Sequence, residues 1–124
     1  MAEDNVKILY LDDTCKVTDV CILIRKYYFP LATSRSITFD EIEKISLENG
    51  MHEIHRWGPS IHNINNWFPL DGDRKNKSRF LAIHLKGKKI VPSFSPLDAT
   101  KLFSILKDHF ESHGIYEIKF EDNL

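Results

Sequence analysis

The stretch that decides the fold runs from Ser95 to Gly114 and reads SPLDATKLFSILKDHFESHG. At 100° per residue, its apolar side chains fall within one arc of about 100°, which predicts an amphipathic helix. The arc consists of Ala99, Leu102, Phe103, Leu106 and Phe110. We expect Ser95 to cap this helix, Pro96 to occupy its first turn and Gly114 to end it. An apolar stripe of this kind must pack on another layer, and the preceding chain has the pattern of strands.

The composition limits the class of protein. A length of 124 residues, 42% of them hydrophobic, favours one globular domain that spans residues 1–124. The net charge of -1 gives no general attraction to nucleic acid, so no nucleic-acid partner is expected. No apolar run approaches the roughly 18 residues that cross a bilayer, and the acidic start lacks the order of a secretory signal. We expect a soluble, cytoplasmic protein with reduced cysteines.

Short apolar runs separated by turn residues precede the helix and predict about seven strands. The clearest are Val20–Phe29, rich in β-branched and aromatic residues, and Arg79–Leu85, which alternates. Other strands are expected within Val6–Leu11, Arg35–Phe39, Ile45–Leu47, Glu53–Trp57, Asn65–Leu70 and Lys89–Phe94. The tail Ile115–Phe120 also alternates and predicts an extra edge strand. The fold class is therefore mainly β (α+β), an antiparallel meander arranged as a barrel or as two packed sheets and closed by the helix.

Several segments resemble those of bacterial pleckstrin-homology-like (PH-like) domains. They are RKYYFP (25–30), TFDEIEKI (38–45), RWG (56–58) and SPLDATKLFSIL (95–106). The resemblance covers roughly residues 16–110 and leaves residues 115–124 as a tail or an extra edge strand. It implies a bent antiparallel barrel of about seven strands with one end plugged by the C-terminal helix. It also implies protein contacts rather than catalysis, because related bacterial domains are often implicated in such contacts.

Aromatic residues around a long irregular segment form the first candidate site. Trp57 precedes a break at Gly58-Pro59, and a second aromatic group follows in the same segment. This group consists of Trp67, Phe68 and Pro69. Exposed aromatic residues on loops bind protein partners, so we expect a binding or assembly module that uses residues 57–79. Open strand edges would add to this surface and permit self-association. The alternative is that both indoles fold back against the sheets.

Basic residues form a second candidate site, for a membrane surface or an anionic ligand. The PH-like resemblance points to the first two strands and their loop, where Arg25, Lys26 and Arg35 lie. A separate basic turn contains Arg74, Lys75, Lys77 and Arg79. The alternative for both groups is ordinary solvated charge. Peripheral membrane contact is therefore the second hypothesis, and a protein partner is favoured over it.

The sequence contains no recognisable catalytic or cofactor motif. Cys15, expected in a turn, and Cys21, expected in a strand, lack the CxxC spacing of a redox or metal pair. His109 and His113 have the i,i+4 spacing of helical metal ligands but no third ligand nearby in sequence. We therefore expect no cofactor, no metal and no enzymatic activity, with an enzyme as the weakest alternative.

Overall fold

The computed structural model describes residues 6–28, 30–49, 58–59, 65–71 and 79–123. This part of the chain is mainly β, with one α-helix. Its strands are β1 (Ile8–Leu11), β2 (Cys15–Thr18), β3 (Cys21–Tyr28), β4 (Thr33–Thr38), β5 (Ile42–Asn49), β6 (Gly58–Pro59), β7 (Asn66–Phe68), β8 (Arg79–Leu85), β9 (Val91–Phe94) and β10 (Lys119–Asn123). The helix, α1, spans Ala99–Ser112. The strand predicted at Glu53–Trp57 lies outside the described residues.

The first sheet is an antiparallel meander in the order β1-β2-β3-β4. The strand predicted at residues 20–29 is confirmed as β3, whose Ile24 lies opposite Cys15 of β2. β2 itself was not predicted, and the turn assignment of Cys15 is wrong. The turn is complete earlier, because the Asp12 carboxylate accepts hydrogen bonds from the amides of Thr14 and Cys15. Cys15 is consequently fully buried in the core.

The second sheet has the order β10-β5-β8-β9-β7-β6. Its centre, formed by β5, β8 and β9, is antiparallel, and β10 adds to the outside of β5 in parallel. The predicted extra edge strand is thus confirmed, although it begins later than expected. Ile115 and Ile118 pack against the core instead, so the extended pairing starts at Lys119. An ion pair of 3.2 Å between Lys44 and Glu121 joins the two strands.

The described residues form two sheets and no closed barrel, which corrects the expectation of a seven-stranded barrel. The chain leaves the first sheet through a 3₁₀ turn at Phe39–Glu41. A reciprocal capping box between Thr38 and Glu41 stabilises this turn. Beyond it, β5 pairs with β8 on one side and with β10 on the other, so neither edge of β5 is left for β4.

The helix closes the core between the sheets. All five residues of the predicted stripe are buried, as the helical periodicity required: Ala99, Leu102, Phe103, Leu106 and Phe110. The helix contacts β1 of the first sheet as well as β5 and β8 of the second. Phe110 also packs edge-to-face on Phe39, with ring centroids 4.7 Å apart. One core therefore serves both sheets and the helix.

The ends of the helix differ in how well the sequence predicts them. The start is wrong by three residues, because Asp98 and not Ser95 caps it, accepting from the Lys101 amide at 3.0 Å. Ser95 and Pro96 precede the helix and are buried. The end is confirmed, since Gly114 has a φ of 70°, which favours glycine and cannot continue the helix.

We expect Leu106→Asp to prevent folding. The Leu106 side chain is fully buried, and an aspartate there would either bury an unpaired charge or open the core. A loss of more than about 4 kcal/mol is expected, comparable to the whole stability of a small domain. Circular dichroism and urea unfolding measure it. Ser104→Asp, on the exposed side of the same helix, should remain folded. A folded and stable Leu106→Asp variant would contradict this packing.

Candidate interaction surface

Exposed apolar side chains are concentrated around β1. The described part of the chain exposes ten large apolar side chains, and five of them lie on or beside this strand. These five, which we call the β1 surface, are Val6, Ile8, Leu11, Val20 and Leu97. Ile8 and Leu11 remain 50% and 55% exposed although both belong to a strand of the sheet. Such clustering on one edge is unusual for a surface that meets only water.

Hydrogen bonds place the β2–β3 turn, which contains Val20, beside the start of β1 and place Leu97 beside its end. The carbonyl of Lys7 accepts from the amide of Asp19, the neighbour of Val20, at 3.0 Å. The amide of Leu97 donates to the Asp12 carboxylate at 2.9 Å. The β2–β3 turn therefore lies beside the start of β1, and the residues before α1 lie beside its end.

Ile8 and Leu11 are exposed, and the cross-strand register explains the outward direction of Leu11. Ile8 lies opposite Thr18, and Leu11 lies opposite Lys16, whose neighbours Cys15 and Val17 face the core. A register shift between Ile8 and Tyr10 marks a β-bulge. The bulge lets Leu9 and Tyr10 both pack against the core. Ile8 and Leu11, on either side of it, are left on the outer face.

The Asp12 carboxylate ties this strand to the helix. It accepts hydrogen bonds from the Tyr10 hydroxyl at 2.6 Å, the Thr14 amide at 2.6 Å and the Cys15 amide at 3.2 Å, in addition to the Leu97 amide. The Tyr10 hydroxyl in turn accepts from the Asp98 amide at 3.2 Å. One side chain thus joins the end of β1, the following turn and the residues that precede α1. The β1 surface is consequently held on a rigid support.

The same contacts set the protonation states at this junction. Burial acts to raise the pKa of Asp12, but the hydrogen bonds from Thr14, Tyr10 and Leu97 outweigh it and hold that pKa below its usual value. Burial and the bond to Asp12 raise the pKa of the Tyr10 phenol well above its usual value. Asp12 is therefore ionised and Tyr10 remains a hydrogen-bond donor at neutral pH.

The outer edge of β1 is open as far as the described residues go. β1 is the outermost strand of the first sheet, and in the described ranges no strand pairs with its second edge. Lys7 directs its carbonyl toward the β2–β3 turn, and Asp12 directs its amide to the carbonyl of Cys15 at 3.1 Å. Because backbone groups alternate along a strand, Ile8 and Leu11 direct theirs to the open edge. An edge of this kind can pair with another extended chain.

Of the predicted aromatic site the structure describes Trp67, Phe68 and Pro69, and the last two are buried. Trp67 is 36% exposed on β7, whereas Phe68 is 2% exposed and packs edge-to-face on Phe80 with centroids 5.0 Å apart. Pro69 is also buried. Phe68 and Pro69 therefore pack inward. Trp57 lies outside the described residues. Partner binding by these four residues stays a prediction, with Trp67 as the described member that reaches solvent.

Arg25 and Lys26, from the predicted anion site, line an open groove near the end of β1. The groove has a volume of about 490 Å³, and Asp12 and Asp13 line it as well. Two carboxylates therefore face the same space as the two cations. This mixture of charges weakens the attraction of the groove for an anion.

The remaining predicted cations have neighbours of their own or lie outside the described residues. The Arg35 guanidinium lies over the Tyr27 ring, 5.2 Å from its centroid, and donates to the Tyr27 hydroxyl at 3.3 Å. Arg79 forms an ion pair with Asp122 of β10. Arg74, Lys75 and Lys77 lie outside the described ranges. Anion binding by any of these residues stays a prediction.

A serine and a histidine meet on the outer face of the second sheet. Ser46 Oγ and His84 Nε2 are 3.3 Å apart, and burial, with a contribution from Lys44, lowers the pKa of His84. The Ser46 side chain is fully buried, and its hydroxyl joins β5 to β8 through this contact. We interpret this contact as a link between β5 and β8 rather than as a catalytic pair.

The described part of the chain holds no metal-ligand cluster, no membrane-spanning helix and no disulfide. Within it, no group of three His, Cys, Asp or Glu side chains is arranged to hold a metal ion. The α1 helix is neither long nor apolar enough to cross a membrane. Cys15 and Cys21 are free thiols.

Comparison of the chain with protein-family models, with curated proteins and with solved structures finds no match in any of the three. A function therefore has to be inferred from the chemistry and geometry of this chain's own residues.

Sequence reasoning missed the β1 surface, although the sequence contains a signal for it. Residues 8–11 read ILYL, four consecutive apolar residues in a segment predicted to be an edge strand. A half-buried strand alternates apolar and polar residues, so an unbroken apolar run indicates that both faces are apolar. In a short edge strand beside a single core, one of these faces has to be exposed.

We expect Asp12→Ala to destabilise the protein by about 1–3 kcal/mol at neutral pH, since several donors lose their acceptor. A lowered folded pKa contributes stability that is fully present above the ordinary aspartate pKa and is lost as the pH falls through the folded value. The difference between wild type and variant should therefore shrink in acid. Urea unfolding at about pH 7 and about pH 3 measures this change. Asp13→Ala, at the exposed neighbour, is the control, and a pH-independent difference would count against the role of Asp12.

Proposed function

We propose that this protein is a non-catalytic binding or assembly module that contacts other protein chains through the β1 surface. The observation that carries this proposal is the concentration of five exposed apolar side chains around one open strand edge. Apolar anchors at the centre of a contact with polar residues around it are the usual anatomy of a protein interface. Here the polar surroundings include Lys7 and Asp13, which are exposed at the two ends of β1.

The support beneath the surface favours the same proposal. Leu9 and Tyr10 pack against the core between Ile8 and Leu11, so the two exposed side chains stand on a fixed backbone. Asp12 fixes the end of the strand. A preorganised surface loses little conformational entropy on binding, which favours affinity. We propose Trp67, which is 36% exposed, as a second contact point.

We further propose that the domain is PH-like. The sequence segments described above support this assignment, and so does the order of a four-stranded antiparallel sheet, a second sheet and a closing helix. The parallel addition of β10 to β5 is a feature that the seven-stranded expectation does not contain. Contact with protein chains is the function that fits both the resemblance and the β1 surface.

We expect the double variant Ile8→Glu, Leu11→Glu to lose binding partners. Two carboxylates at the centre of an apolar contact would have to be desolvated, so capture should fall about ten-fold or more. Affinity capture from an extract of the source cells at high salt, with quantitative mass spectrometry, measures the loss.

Leu31→Glu is the matched control for this capture. Leu31 is 80% exposed on the β3–β4 turn, away from β1, so its variant should retain the partners of the wild type. If the double variant captures the same proteins as the wild type and the control, the β1 surface is not the contact site.

A further inference from the structure

We propose that the partner at the β1 surface is a second copy of this chain, with the two β1 strands paired antiparallel about a two-fold axis. This inference depends on the proposed function, because it names the partner of the same surface. It joins two four-stranded sheets into one continuous sheet of eight strands.

The sequence of the edge is complementary to itself. Residues 6–13 read VKILYLDD. When two copies run antiparallel with the axis between Leu9 and Tyr10, Ile8 of each lies opposite Leu11 of the other. Residues that oppose each other in an antiparallel pair lie on the same face, and both of these side chains face outward. The four half-exposed side chains of the two copies then cover one another.

The backbone groups agree with this register. The Lys7 carbonyl accepts from the Asp19 amide, and the Asp12 amide donates to the Cys15 carbonyl. The backbone groups of Ile8 and Leu11 therefore face the open edge. Ile8 of one copy and Leu11 of the other therefore exchange two hydrogen bonds as a close antiparallel pair. The axis repeats this pair, so four new backbone hydrogen bonds form.

The charges at the ends of the strand also match. The same register places Lys7 of one copy opposite Asp12 of the other, and this pair too occurs twice. Asp12 is ionised because its hydrogen bonds lower its pKa, and the Lys7 side chain is exposed. A shift of the register by one residue would place Ile8 opposite Asp12 and lose the apolar contact, so the arrangement specifies one register.

The bulge favours a second copy over a foreign peptide. A bulge bends an edge strand and increases its twist, which hinders pairing with a straight strand. The shift between Ile8 and Tyr10 lies at the centre of the proposed contact. A second copy has the same bend at the same distance from the axis, so the two edges remain matched along their length.

Light scattering and analytical ultracentrifugation of the full chain over a dilution series test the oligomeric state. We expect a dimer that dissociates on dilution, and we expect Ile8→Glu to weaken dimerisation about ten-fold or more because the carboxylate would be buried against Leu11 of the second copy. Leu31→Glu should dimerise as the wild type does. A wild type that is monomeric at every concentration, or a dimer that Ile8→Glu leaves unchanged, overturns the proposal.

Disulfide trapping tests the register itself. In a Cys21→Ser background we expect Ile8→Cys mixed with Leu11→Cys to cross-link, because opposed residues have Cα atoms about 5.5 Å apart, within disulfide range. Either variant alone should not cross-link, since identical residues would lie about 7–10 Å apart along the strand, beyond disulfide range. Cross-linking of one variant with itself, or none in the mixture, overturns this pairing.

These results separate the inference from the proposed function. If the wild type is monomeric but the double variant Ile8→Glu, Leu11→Glu loses other captured proteins, self-pairing is overturned and a protein-binding function for β1 is supported. If the chain dimerises and the trapped pair is Ile8 with Leu11, both are supported. If the double variant loses no partner and the wild type does not dimerise, both are overturned.

Discussion

The packing of the α1 stripe between the two sheets is the constraint on which the rest of the structure depends. The helix contacts β5 and β8 of the second sheet and β1 of the first, so one row of side chains gives both sheets a common core. Without the helix, each sheet would expose an apolar inner face. The helix also determines where β1 lies, because Asp12 and Tyr10 accept the amides of the two residues that precede it.

This arrangement commits the inner side of β1 to the core and leaves its outer side to solvent. Leu9 and Tyr10 pack against the core. The bulge between Ile8 and Tyr10 leaves Ile8 and Leu11 on the outer face. A strand that is apolar on both faces and open on one edge is an aggregation hazard unless it is covered. A specific partner that uses the same apolar groups would remove the hazard, which relates the local sequence directly to a binding function.

The sequence predicted the elements whose pattern is local. The stripe of α1, the strands β3 and β8 and the extra strand in the tail follow from periodicity within one segment. The start of the helix was missed because Ser95 and Asp98 are both good capping residues, and tertiary contacts to β1 decide between them. The separation into two sheets depends on which strands pair with β5. This pairing is long-range, and no local pattern encodes it.

The candidate site shows the same difference between features that a local pattern predicts and features that long-range contacts decide. The sequence leaves exposure and burial of Trp67 as alternatives, whereas the burial of Phe68 depends on Phe80, a residue of a different strand. The apolar run of β1 was visible in the sequence, but which of its residues face outward depends on a bulge that register alone reveals. Partner binding by the predicted aromatic residues stays a prediction beside the β1 surface.

Hydrogen exchange of the Ile8 and Leu11 backbone amides, measured by nuclear magnetic resonance at low and high protein concentration, tests the central claim most directly. If β1 pairs with β1 of a second copy, both amides should exchange more slowly as the concentration rises, while exposed amides of β4 keep their rates. Equal exchange rates for Ile8 and Leu11 at all concentrations would contradict the account, since an edge that bonds to a second copy must protect these two groups.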